Sequence, residues 1–291
     1  WNQTLSAFET GGSPGGMIAI RTEREIDLLR QANAIVVRAH EALKKMVRPG
    51  ISTAELDAAA EQIIRDAGAV PAFKGYHDYP AATCISVDEV VVHGIPGPQK
   101  LREGQIVSID IGTQFKGYFG DAAVSIPCGR IDEARQRLLD VTDLALSRAI
   151  RAAKAGNCLR DIGRAIESLC RQFGFGVVRN FVGHGIGMEL HEEPQVPNFD
   201  TGEPGPRLKE GMVLAIEPMV NMGTHKVRIM DDGWTAVTAD GKPSAHFEHS
   251  VVVRAFGGEI LSASDTFVWG RRENETMQRG APAGAHQPPS R

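Results

Sequence analysis

The stretch Ile106–Ser125, IVSIDIGTQFKGYFGDAAVS, decides how the chain is read. Ile106 to Ile111 is apolar and β-branched, the composition of a buried strand, yet Asp110 stands near its end. Thr113 to Gly117 has the composition of a connecting turn, and Tyr118 to Ser125 reads as a second strand carrying Asp121, so the stretch predicts a hairpin. Two carboxylates would then share one small space. Burying one ionised carboxylate is costly, and a second beside it adds like-charge repulsion, so either a proton is shared or cations neutralise the pair. Metal is the simpler reading. In an arbitrary hairpin one Asp more often caps a turn while the other faces solvent; the remaining chain argues against that arrangement.

The 291 residues are 42% hydrophobic, enough to bury a large core as one domain or two fused halves. A formal charge of −4 offers no electrostatic footprint for nucleic acid, and no basic run makes a membrane-surface patch. No apolar run reaches the roughly 18 residues needed to span a bilayer. Cys84, Cys128, Cys158 and Cys170 form no CxxC or zinc-knuckle spacing, which predicts reduced thiols in a cytoplasm. Trp1–Gly16 is rich in Gly, Ser and Thr, lacks the features of a signal peptide, and reads as a flexible leader. Arg271–Arg291 is polar and Pro/Gly-rich and reads as a disordered tail. Residues 17–270 remain as a single expected catalytic domain.

Thr22-Glu-Arg-Glu25 is a capping box, followed by apolar residues every three or four positions from Ile26 to Leu43 and a stop at Pro49-Gly50, so a helix is expected. Ser52-Thr-Ala-Glu55 begins a second helix that stops near Gly68. Strand-like segments follow from Ala82 to Val92, and then the hairpin. From Asp132 the order restarts, with a long helix to about Ala155 and another to Gly174. Gly50, Leu56, Ile63 and Gly68 map onto Gly156, Ile162, Leu169 and Gly174 at a constant shift of 106 (156 − 50, 174 − 68). Leu101-Arg-Glu-Gly-Gln-Ile-Val-Ser-Ile-Asp110 parallels Leu208-Lys-Glu-Gly-Met-Val-Leu-Ala-Ile-Glu217 at a shift of 107 (217 − 110). We read an internal duplication, with pseudo-repeats over about 22–125 and 132–253. Asp121 then has its counterpart in Glu248, within the β-rich segment Ala245–Val253.

A pseudo-two-fold arrangement would bring Asp110, Asp121, Glu217 and Glu248 toward one cavity. Divalent cations accept carboxylate oxygens, and a bridging carboxylate can hold two metals roughly 3.5 Å apart. A transition-metal site also wants a nitrogen ligand, and the candidate lies in Phe181-Val-Gly-His-Gly-Ile-Gly-Met-Glu-Leu-His191. His184 is flanked there by glycines that permit close approach, and His191 follows seven residues later. His93, before a turn, is a weaker candidate.

The series Asp110, Asp121, His184, Glu217 and Glu248, in the contexts IDIG, GDAAVS, GHGIG, AIEPM and FEHSVVV, resembles the type I methionine aminopeptidases of the pita-bread fold. The likeness runs from about Met17 to Val268 and includes Tyr76-His-Asp-Tyr79, Cys84-Ile-Ser-Val, His93-Gly-Ile-Pro and His191-Glu-Glu-Pro194. It implies an α+β pita-bread (creatinase/aminopeptidase) fold, in which duplicated halves of helices plus antiparallel sheet surround a central metal site. It further implies two divalent metal ions (Co, Mn, Fe or Zn), with His184 and Glu217 on one, Asp110 on the other, and Asp121 and Glu248 touching both. Phe73, Tyr76, Tyr79, Cys84, Leu190 and Trp234 would line a pocket for the methionine side chain. Leu190 stands where Phe is common in that family and Phe73 where Cys can occur, so pocket shape departs from the pattern more than metal ligation does.

The activity implied is removal of N-terminal methionine from nascent proteins with a small second residue, by a hydroxide bridging the two metals. Glu217 would shuttle the proton, His191 would donate to the oxyanion, and His93 would hold an amide nitrogen of the substrate. The implied partners are nascent chains bearing N-terminal Met and, transiently, the ribosome. No nucleic-acid specificity or membrane is expected, and the protein should be a cytoplasmic monomer. Proline-specific peptidases of the same fold carry an added N-terminal domain, and its catalytically dead binding modules lose ligands; both rank below the main reading.

Overall fold

The reciprocal caps read from the sequence form. In the computed structural model, which describes residues 17–264, the Thr22 N–H donates to Glu25 Oε2 at 2.9 Å and the Glu25 N–H to Thr22 Oγ1 at 3.4 Å. They open helix α1, Glu23–Met46; the same exchange between Ser52 and Glu55 opens α2, Thr53–Asp66. In the second half Asp132 caps α3, Glu133–Ala152, and the Asp161 carboxylate accepts the Cys158 N–H at the start of α4, Leu159–Gln172. Helices α2 and α4 are both 14 residues long and 106 residues apart (159 − 53, 172 − 66). Glycines flank both at matching left-handed angles, Gly50 and Gly156 at φ +91° and +92°, Gly68 and Gly174 at +73° and +75°. Only a residue without Cβ adopts that conformation at no steric cost, which is why those glycines survive in register. The expected leader at 1–16, residues 265–270 and the expected tail at 271–291 lie outside the described residues.

The strands are β1 (Val70–Pro71), β2 (Thr83–Val87), β3 (Val90–Val92), β4 (Gln105–Phe115), β5 (Tyr118–Cys128), β6 (Gly176–Val177), β7 (Gly183–Gly185), β8 (Glu192–Val196), β9 (Val213–Ile216), β10 (Met219–Asn221), β11 (Val227–Ile229), β12 (Ala236–Thr238), β13 (Ser244–His246), β14 (His249–Arg254) and β15 (Gly257–Ile260). In the first half β4 pairs antiparallel with β1, β2 and β5. The second half has a five-stranded antiparallel sheet in the order β15-β14-β9-β7-β8. Two small sheets, β13-β10-β6 and β11-β12-β3, complete the α+β architecture.

Two boundaries differ from the sequence reading. Thr113–Phe115 continues β4 instead of turning, because Thr113 pairs with Pro71 on one side and Gly120 on the other. The turn is only Lys116-Gly117, both left-handed at φ +51° and +82°, the two-residue geometry that matches strand twist in a hairpin. Ala245–Val253 is likewise not one strand. It breaks at Phe247-Glu248, where the chain passes from the β10 sheet to the β9 sheet and the Glu248 N–H donates to the Ala123 carbonyl at 2.9 Å.

The helices pack on the sheets through one core that spans both halves, with Leu43, Leu56, Ile106, Ile109, Leu144, Ile162 and Leu214 among its members. Each such side chain, fully buried, contributes about 1.5–3 kcal/mol. Helix α1 lies so close to β5 that a Cβ on Gly120 would stand 2.7 Å from the Asn33 nitrogen and 2.8 Å from the Ala32 carbonyl carbon. Two turns further on, buried His40 donates its Nε2 proton to the Ala122 carbonyl at 2.9 Å, so α1 grips β5 on both sides of Asp121.

Burial drives the His40 pKa down to about 4, although the bond to Ala122 works the other way. A histidine whose folded pKa lies below its unfolded value of about 6.5 makes its full contribution above pH 6.5 and loses it as pH falls toward 4. In paired urea titrations, the stability of the protein relative to His40→Gln is expected to fall by about 1.4 kcal/mol per pH unit between pH 6 and 4.5. A pH-independent difference would refute the assignment of a neutral His40.

Candidate metal centre

Register brings the acids together. Across β4 and β5, Asp110 faces Ala123 and Gly112 faces Asp121, so the two aspartates sit on one face of the hairpin, diagonal to each other. In the second half His249 pairs with Ile216, which leaves Glu217 and Glu248 facing each other just beyond the paired ends of β9 and β14. His184 pairs with Ala215, two residues from Glu217 and therefore on the same face. The result is a buried group in which ligand atoms of Asp121, His184 and Glu248 lie within 4.8 Å of one another. His184 Nε2 stands 3.5 Å from Glu217 Oε1 and 4.0 Å from Asp121 Oδ2.

The electrostatics favour a cation. Burial raises all four carboxyls, Asp110 and Glu217 to about 7 and Asp121 and Glu248 well above the usual carboxylate range. Mutual repulsion adds to this: Asp110 and Glu217 push Asp121 up, and Asp121, Glu217 and Asp110 push Glu248 up. The adjoining cavity is lined by Val92, His93, Asp110, Phe181, His184, His191, Glu217 and His246 among others, and no lysine or arginine is part of its described lining. Asp110 Oδ1 and Asp121 Oδ1 are buried with no hydrogen-bond partner. His184 donates its Nδ1 proton to the Gly185 carbonyl at 2.9 Å, which leaves Nε2 as the ring atom aimed at the oxygens of Glu217 and Asp121. Nitrogen and oxygen at this separation need a proton or a cation between them, and a divalent cation can serve several of these oxygens at once. These donors, one imidazole nitrogen and carboxylate oxygens, suit a divalent transition metal.

His93 and His191 both line the cavity. Burial lowers His93 to about 3, with the neighbouring His246 adding to the effect. His191 is held well below its ordinary value by burial and then by His184, His93 and His77. Both rings are therefore neutral, able to donate or accept but not to act as fixed cations. The six expected pocket residues also converge: Phe73, Tyr79, Cys84 and Leu190 form a buried apolar cluster, with Tyr76 and Trp234 packed against it. Cys84 pairs directly with Asp110 across β2 and β4, so the pocket adjoins the acids through a single strand pair. Burial, reinforced by the Asp110 charge, keeps the Cys84 thiol protonated.

Two residues escaped the sequence reading. His246 is buried, with Nε2 3.5 Å from Glu217 Oε2, so Glu217 has an imidazole against each oxygen. Its position two residues before Glu248, on a segment read as strand, was a usable signal. Ser250 accepts the Asp121 N–H at 3.3 Å and donates to the Asp121 carbonyl at 2.8 Å, clamping that residue's backbone from the other half of the molecule.

Comparison with known proteins gives a consistent result. Residues 27–255 match the description Metallopeptidase family M24. Methionine aminopeptidase 1 of Bacillus subtilis strain 168 is 48% identical over 246 residues, covering 84% of this chain and 99% of that protein. The crystal structure of methionine aminopeptidase from Thermotoga maritima superposes with a TM-score of 0.83 at 43% identity, covering 85% of this chain and all of that one. Prolidase from Pyrococcus furiosus, at 24% identity and a TM-score of 0.69, shares the fold over 85% of this chain and 66% of its own. Likeness at this level over nearly whole chains establishes descent: the chain belongs to metallopeptidase family M24 and, within it, to the methionine aminopeptidases.

Proposed function

We propose that this protein is a dinuclear metallo-aminopeptidase that releases N-terminal methionine from nascent polypeptides whose second residue is small. The observation that carries the reading is the buried group of Asp110, Asp121, His184, Glu217 and Glu248 beside an apolar, aromatic pocket. Asp110, Asp121, His184, Glu217 and Glu248 would hold the cations. When bound, divalent metals supply Lewis acidity and bring a water from a pKa of about 15.7 to about 7, where it can act as the nucleophile.

The protein's own residues do the rest. Phe73, Tyr79, Cys84, Leu190 and Trp234 enclose the methionine side chain, whose sulfur gains from contact with aromatic edges. Neutral His93 accepts a substrate amide N–H, and neutral His191 donates to the carbonyl oxygen as it becomes an oxyanion. Glu217, with an imidazole against each oxygen, moves a proton from the attacking water to the departing amine. The same reading carries the finer expectations of a monomer in the cytoplasm, acting transiently at the ribosome, with one catalytic domain over 17–270. All four cysteines are free thiols, which supports a reducing compartment. No helix among the described residues is long and apolar enough to cross a membrane.

A mass-spectrometric panel of Met-Ala-Ser, Met-Lys-Ser, Leu-Ala-Ser and Ala-Pro-Ser, with manganese or cobalt and with a chelator, tests the substrate. Metal-dependent release of Met from the first peptide alone is expected, whereas cleavage of Ala-Pro-Ser would move the protein to the proline-specific branch. For the metal assignment, Asp121→Asn should retain its circular dichroism while losing bound metal on dialysis and more than about 100-fold in kcat/KM. Unchanged metal content and turnover in that variant would defeat the dinuclear reading.

A further inference from the structure

The turn from Gly75 to Asp78 holds an unfavourable backbone. Gly75 lies at φ +86°, and two consecutive non-glycine residues follow in the left-handed region, His77 at +46° and Asp78 at +68°. Neighbouring bonds hold it there. The Gly75 N–H donates to the Tyr79 carbonyl at 2.8 Å, the Tyr79 N–H to the Tyr76 carbonyl at 2.9 Å, and the Tyr76 N–H to the Phe73 carbonyl at 2.9 Å. Tyr79 is itself fixed: its hydroxyl lies 3.1 Å from both the Thr83 and Gly94 carbonyls, and its ring meets Trp234 edge-on at 5.2 Å. Strain of this kind persists only where the surroundings over-determine it, and it concentrates at functional sites.

What the turn delivers is Tyr76. Its ring rests edge-on against His77 at 4.4 Å and tilted against His191 at 5.2 Å, and its hydroxyl lies 2.8 Å from His191 Nδ1. A phenolic oxygen shares its lone pairs with the ring and is a weak acceptor, whereas an imidazole nitrogen is a strong one, so the hydroxyl donates and Nδ1 accepts. An imidazole that accepts at Nδ1 carries its proton on Nε2.

We propose that Tyr76 is a positioning residue for the reaction: its hydroxyl fixes His191 as the Nε2–H tautomer and sets the ring plane, so that the donor meant for the substrate oxyanion is in place before substrate arrives. This rests on the aminopeptidase reading and goes beyond the pocket-lining place that Tyr76 has in the sequence. A side chain that only lined the pocket would act on how tightly methionine is held. One that orients a transition-state donor acts on turnover.

Tyr76→Phe removes one oxygen and leaves ring and pocket intact. Two readouts are made on the zinc-loaded protein. Nitrogen-15 NMR of the imidazole, assigned by its loss in His191→Gln, reads the tautomer without substrate. Steady-state kinetics on Met-Ala-Ser separates kcat from KM. We expect Nε2–H in the wild type and a mixed or inverted tautomer in Tyr76→Phe. With that should come a fall in kcat of about tenfold, KM within about twofold, and no further loss when Tyr76→Phe is added to His191→Gln. An Nδ1–H wild type, an unchanged tautomer in Tyr76→Phe, an effect confined to KM, or a full additional loss in the double variant would each overturn the proposal. Absence of turnover in the wild type would defeat the aminopeptidase reading alone, since the NMR result still decides the role of Tyr76.

Discussion

The burial of four carboxyl groups beside one another is the constraint that the rest of this structure serves. Asp110, Asp121, Glu217 and Glu248 are all driven toward their protonated forms by burial, Asp110, Asp121 and Glu248 also by neighbouring carboxylates, and among the described residues it is imidazoles that are drawn up to them. Left alone, such a cluster would open to water. It stays closed because Asp110 and Asp121 are carried on β4 and β5, Glu217 and Glu248 sit at the ends of β9 and β14, and helices lock these strands from behind, as α1 does where Gly120 admits its backbone and His40 bonds Ala122. Protein packing supplies the geometry, and a divalent cation is the natural partner for the charge.

Second to that constraint is the neutrality of the surrounding histidines. His93 and His191 are held below their ordinary titration range by burial, so they offer directional hydrogen bonds and no positive charge that would compete with a metal. Direction then has to come from somewhere. His184 takes it from the Gly185 carbonyl, His191 from the Tyr76 hydroxyl. Each ring has one nitrogen tied to the scaffold, which determines what its other nitrogen can do.

Much of this was legible in the chain itself, for physical reasons. An aspartate inside a run of β-branched residues is an anomaly that demands compensation, and Asp110 and Glu217 announced themselves that way. The repeated pattern was visible because glycine is favoured at left-handed positions, so Gly50, Gly68, Gly156 and Gly174 mark the same frame around α2 and α4. Other features were not legible. Thr113–Phe115 has turn-like composition, and it is pairing with β1 and β5 that makes it strand. The break at Phe247-Glu248 depends on a partner 125 residues away (248 − 123). The Tyr76–His191 bond likewise depends on contact between distant segments, which no local pattern encodes.

The bond from the Glu248 N–H to the Ala123 carbonyl has a meaning for the protein's own synthesis. Asp110 and Asp121 leave the ribosome early, on a hairpin whose partner sheet does not yet exist. Their surroundings close only after residue 248 has been made and has crossed from the β13 strand to the β14 strand, where Ser250 then clamps Asp121 from the opposite half. Until that crossing the acids are two solvated carboxylates on an incomplete sheet, with little means of retaining a metal. A chain cut before residue 248 lacks both Glu248 and the Ser250 clamp, so the two halves of the site depend on each other across the whole length that separates them.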